Sequence, residues 1–241
     1  MVPPSLSKTQ NAEDRLLALR ETAGRVWHNR GGEPRWPAMV ALAAVAALTF
    51  ALPDALVRYP KWIPLVVVGA LLIPTARAHH EGDHKSNTTW GYVLNTVLTA
   101  FLLWSVGLLV MTLSAHKESP GQLLRSAGVL WVTNVIVFAL WYWRLDAGGP
   151  NMRERIPGHD TGAFLFPQMT LDADQAKSVG VQDWEPNFWD YLFLAFNTST
   201  ALSPTDTAVL DRWAKLLMMA QSAVSLVIIA LLAARAINTL Q

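Results

Sequence analysis

FWDYLFLAFNTSTALSPTDTAVLDRWAKLL, residues 188 to 217, is the stretch on which the fold turns. Residues 188 to 200 read as an aromatic-led apolar helix of 13 residues. That is too short to cross a bilayer, which takes ~20 apolar residues. Asp183 and Pro186 supply its start signals, since proline suits a first helical turn. A turn rich in Ser and Thr follows and closes on Asp206, and an apolar segment from 209 to 237 is long enough to project beyond the hydrocarbon. The pattern describes a chain that enters a membrane and turns back before it crosses. Such a re-entrant backbone survives only where protein buries it or water fills the cavity beside it.

Outward from this stretch, the composition agrees. Hydrophobic residues make up 52% of the 241, and charged ones only 15%. They are gathered in blocks instead of spread at amphipathic spacing, so the solvent is a bilayer. Four further apolar blocks fall at 36–56, 62–76, 90–115 and 127–143. The second is short, with Pro64 and Pro74 near its ends. Trp36, Trp62, Trp90, Trp141 and Trp143 stand at block ends, where an interfacial aromatic belt belongs. The expected fold is all-α: a polytopic membrane protein of five transmembrane helices plus the short re-entrant helix. Its parts are an N-terminal arm (1–35), four spans (36–143), a polar loop (144–187), and the short helix, turn and fifth span (188–241).

The net charge of +1 gives no field for nucleic acid, and the absence of cysteine removes disulfides and thiol chemistry. The arm lacks the apolar core of a signal peptide. Its leucines at 16, 17 and 19 suit an interfacial helix or a solvated arm equally. Lys8, Arg15, Arg20, Arg25, Arg30 and Arg35 precede the first span, which argues for a cytoplasmic N-terminus. With five spans, the loops carrying Arg77, Lys85, Arg144, Arg153, Arg155 and Lys177 share that side. The other side receives only Arg58, Lys61, Lys117, Arg125 and Arg235.

FNTSTALSPTD, 196 to 206, resembles the pore-helix end and filter of the potassium-channel superfamily, a TVGYG loop followed by Asp. Phe196, Thr198, Thr200 and Asp206 match, and Leu202 stands for the filter Val. Ser203, Pro204 and Thr205 replace Gly-Tyr-Gly. A carbonyl-lined filter needs left-handed backbone angles that glycine takes freely, whereas Pro204 is fixed near φ −65°. The resemblance therefore implies a pore without potassium selectivity. It also implies a loop facing outward, the reverse of what the charge count gives. The alternative reading of the same letters is a helix start, with Ser203 as N-cap, Pro204 at N1 and Asp206 at N3.

A second resemblance covers most of 38 to 238. WYWRLDAGGP (141–150), FLFPQ (164–168), FWDYLFLAFNTSTALSPTD (188–206) and AARAIN (233–238) look like a group of small, multi-pass bacterial membrane proteins of unassigned activity. It implies a bacterial plasma (inner) membrane and this architecture, and no particular activity.

In ARAHHEGDHKSNTT, 76 to 89, His79, His80 and His84 are weak metal candidates, with Gly82 against a shared site and a solvated loop as the plainer reading. Asn95, Thr96, Thr99, Thr133, Asn134, Gln221, Ser222 and Ser225 lie inside spans. Such residues either bind helices together or line an aqueous path. No Asp, Glu, Lys or Arg lies deep in the first four spans, which disfavours a carboxylate-coupled transporter. Arg144, Asp146, Arg153, Arg155, His159 and Asp160 of the long loop suggest an ion-attracting mouth. No nucleophile triad, His-Glu-x-x-His or phosphate loop is present, so neither an enzyme nor a cofactor is expected.

The function expected from these residues is a channel-like pore for small ions, lined by Thr198, Ser199, Thr200, Ser203, Thr205, Asp206, Gln221 and Ser225. Its partners would be the lipid bilayer and further copies of the chain, because one hairpin cannot enclose a path alone. The alternative is a non-transporting accessory or scaffold protein.

Overall fold

A computed structural model describes residues 33–80, 83–114, 120–154, 162–182, 184–200 and 206–238. Among these residues the fold is all-α apart from one two-residue pairing. The helices are α1 (Trp36–Leu48), α2 (Trp62–His80), α3 (His84–Ser114), α4 (Pro120–Leu145), α5 (Pro150–Arg153), α6 (Ala173–Ser178), α7 (Phe188–Thr200) and α8 (Arg212–Asn238). Strands β1 (Phe164–Leu165) and β2 (Ala208–Val209) pair antiparallel, Phe164 opposite Val209.

Among the described residues three helices are long and apolar enough to cross a membrane, those at 85–112, 121–153 and 212–234. The expected first and second spans give shorter apolar helices, Trp36–Ala51 and Trp62–Thr75. Proline sets the first limit. Pro53 drives Leu52 into an extended conformation (φ −81, ψ 142), as residues before proline are driven. The helix therefore closes there, and Asp54–Leu56 forms a separate 3-10 turn. The second ends its apolar run at Thr75, although helical backbone continues past Pro74 to His80. The third block begins earlier than expected because Asp83 accepts from the Ser86 amide (3.1 Å) and starts α3 there. Helix α3 thus starts four residues after α2 ends, and Asn87 donates from Nδ2 to the Thr75 carbonyl (2.7 Å).

Helix α4 is the centre of the bundle and packs against α1, α3, α7 and α8. Its membrane-length stretch is 61% buried, against 17% for α8, which leaves most of α8 uncovered by the rest of the chain. After α4 the chain turns through Ala147 (φ 49), Gly148 (φ 76) and Gly149 (φ 86), all left-handed. A Cβ at Gly149 would lie 2.6 Å from the Arg144 carbonyl oxygen. Gly149→Ala is therefore expected to lower stability by about 1–3 kcal/mol, read from detergent-resistant unfolding of the purified chain.

The Arg35 guanidinium bonds to Glu154 (3.0 Å), so the start of α1 and the segment after α4 occupy one end of the bundle. That fits an even number of crossings between them, whether α1 and α2 cross as a pair or neither crosses.

Candidate functional site

Helix α7 begins with a reciprocal cap. The Asn187 side chain accepts from the Trp189 amide (2.9 Å), and Asp190 accepts from the Asn187 amide (2.8 Å). Its buried face carries Phe188, Tyr191, Leu194, Ala195, Thr198 and Ser199. The opposite face exposes Trp189, Phe193 and Phe196.

The direction of α7 decides the architecture. Gln221 donates from Nε2 to the Ala195 carbonyl (2.6 Å), and the Ser225 hydroxyl donates to the Ser199 carbonyl. Each contact advances four residues on both helices, so α7 and α8 run parallel. Helix α4 runs against them: Trp131 donates from Nε1 to Ser225 (3.0 Å), while Tyr142 donates to Gln221 Oε1. Phe164 lies at the common starting end, with its ring 5.3 Å from Tyr142, 6.3 Å from Tyr191 and 6.1 Å from Trp213. The chain therefore descends through α7, returns to the same end by residue 206, and descends again as α8.

At ~1.5 Å per residue α7 reaches about 20 Å from that end. A helix ends with four carbonyls lacking intrahelical partners, here those of 197 to 200. Three are satisfied. Thr200 donates to the Asn197 carbonyl (2.9 Å), Ser222 to the Thr198 carbonyl (3.2 Å) and Ser225 to the Ser199 carbonyl. The hydroxyls on α8 are thus the C-terminal cap of α7.

A buried polar cluster surrounds this end. Gln221 Nε2 also donates to Ser199 Oγ (2.7 Å), and Asn134 Nδ2 reaches Ser199 Oγ and the Gln221 carbonyl, both at 3.3 Å. Asn134, Ser199 and Gln221 are each fully buried.

No family model, curated protein or solved structure matches this chain.

The residues named from sequence fall into three groups. Thr198, Ser199, Gln221 and Ser225 are buried between α4, α7 and α8, with their polar groups bonded within the chain. Thr200 is half-buried and Asp206 is exposed. Ser203 and Thr205 lie outside the described residues. The helix start expected at Ser203 is not where α8 begins. Ala208 and Val209 are extended against β1, and the Leu210 amide donates to the Ala163 carbonyl (2.8 Å), so α8 opens only at Arg212 behind Asp211. Of the histidines, His79 and His80 fall in the last turn of α2 and His84 opens α3. Among the described residues no three His, Cys, Asp or Glu come together as a metal site.

Above the polar cluster, at the starting end, Asp146 is fully buried and accepts from the Tyr191 hydroxyl (2.7 Å) and the Ala163 amide. Arg153 donates to the Trp143 (2.9 Å) and Asp146 (2.8 Å) carbonyls and lies over the Tyr191 ring. These bonds join the end of α4 to β1 and to α7. The sequence offered Asp146 and Arg153 as a charged mouth. Tyr191 and Ala163, their partners, carried no local signal.

Proposed function

We propose that the chain is one subunit of a channel-like membrane protein that passes small ions, with the path formed around the α7–α8 hairpin in a homo-oligomer. The observation that supports this reading is the parallel course of α7 and α8, with α7 ending inside the bundle. The C-terminal end of a helix carries a negative partial charge. Inside a layer of hydrocarbon ~30 Å thick, that end favours a cation over an anion. In this reading Ser199, Gln221 and Ser225 hold the hairpin, Thr200 stands at its deep end and Asp206 at its mouth. The uncovered face of α8 meets neighbouring copies or lipid. Helices α1 and α2 complete five crossings of a bacterial plasma membrane, with the N-terminus and the hairpin mouth on the cytoplasmic side.

The competing reading is a non-transporting accessory protein. It is favoured by one observation: the amides and hydroxyls around Gln221 are bonded within a single subunit.

Planar-bilayer recording of the purified chain separates the two. Cation currents are expected that pass sodium and potassium alike, because Pro204 and Thr205 replace the glycines of a selective filter. They should shrink in Asp206→Ala and Thr200→Ala. Silence across a folded, oligomeric preparation would favour the accessory reading.

A further inference from the structure

Among the described residues Arg144 has no ion-pair partner. It stands in the last turn of α4 and is only 7% exposed. Its guanidinium fills the space a side chain at Gly91 of α3 would take: a Cβ there would lie 1.6 Å from Nη1 and 2.0 Å from Cζ. The ring of Trp143 lies 5.5 Å from Cζ. Nε is sealed and has no hydrogen-bond partner. Among the described residues the guanidinium makes no ion pair or hydrogen bond.

Tyr92 and Arg35 are the ionisable groups that act on it, and Arg35 brings like charge. The nearby carboxylates are engaged elsewhere, Glu154 by Arg35 and Asp146 by Tyr191 and the Ala163 amide. Arg153 adds another cation, held on backbone carbonyls. A guanidinium taken out of water without a counter-ion is costly, and a ring face and helix dipole replace only part of its hydration. Its planar donor fork fits the oxygens of phosphate.

The level of the residue indicates where such an anion resides. Trp36, Trp90 and Trp189 are exposed at this end, and Trp36 packs edge-on against Trp189 at 6.2 Å. Exposed indoles mark the headgroup level of a bilayer. We infer that Arg144, seated on Gly91 between α3 and α4, is the anchor of a phosphate-oxyanion site at the membrane interface, occupied by the phosphodiester of an anionic lipid. The uncompensated charge of Arg144 selects a headgroup with net negative charge over a zwitterionic one. The inference rests on membrane embedding and does not depend on conduction.

The test uses the full chain in a neutral detergent, with phosphatidylglycerol, phosphatidylcholine and inorganic phosphate added in separate titrations. Bound lipid is counted by native mass spectrometry, and the unfolding temperature is followed. Wild type should retain phosphatidylglycerol in preference to phosphatidylcholine and unfold at a higher temperature with it. Both effects should be lost in Arg144→Gln. They should also be lost in Gly91→Ala, whose added methyl displaces the guanidinium while keeping its charge. Gly91→Ala carries the test alone if Arg144→Gln does not fold. Protection by inorganic phosphate equal to that by lipid, and sensitive to the same two variants, would support the oxyanion chemistry with a soluble source. Equal phosphatidylglycerol retention in wild type and both variants would overturn the inference.

Discussion

Phe164→Ala is expected to destabilise the protein by about 3–5 kcal/mol, the usual loss for emptying an aromatic site in a packed core. Phe164 is 1% exposed, and its ring meets Tyr142, Phe166, Tyr191 and Trp213. These side chains come from the end of α4, the loop, the start of α7 and the start of α8, so one ring closes the junction where all four segments meet. The neighbours cannot collapse into the gap, because β1 is tied by pairing to β2 and the adjacent Ala163 amide is tied to Asp146. The loss is read as a fall in unfolding midpoint in mixed micelles. Phe164→Leu should recover part of it. A fall of less than 1 kcal/mol would mean that the junction is not a load on folding.

Gln221→Leu is the second large effect. Its side chain bonds to three groups at once: the Ala195 carbonyl, Ser199 Oγ and the Tyr142 hydroxyl. Leucine fills a similar volume and bonds to none of them. Each such contact contributes ~0.6–2 kcal/mol inside a membrane protein, so a loss of about 2–5 kcal/mol is expected. Unlike the loss at Phe164, this one should loosen the end of α7 selectively, which amide exchange at 195 to 200 would report. Gln221→Glu tests the same point differently. A carboxylate cannot donate to the Ala195 carbonyl, so it should be no better tolerated. Exchange unchanged at 195 to 200 in Gln221→Leu would show that α7 is held by apolar packing alone.

The short helix was legible because everything that defines it is local. Residues 188 to 200 hold an apolar face at helical spacing, and helix α7 spans those residues. Its start was expected from Asp183, which lies outside the described residues, and Pro186, whereas the cap that forms is Asn187 with Asp190 three residues on. The return segment was not legible. Ser203-Pro204 is a sound helix start by local rules, but Ala208 and Val209 are extended by pairing with Phe164 and Leu165, more than 40 residues away in sequence. The first span was overestimated because a hydropathy window passes smoothly over Pro53, whereas the backbone does not. For the site, the stripe of Gln221, Ser222 and Ser225 announced a polar face on the last helix. Which groups it bonds could not be read, since the partners lie on α4 and α7 and depend on the direction in which α7 runs.

That direction has a mechanical consequence. Because hydroxyls of α8 close off the end of α7, sliding one helix along the other would strip peptide carbonyls bare in hydrocarbon, at several kcal/mol apiece. The two must therefore travel as a single piston.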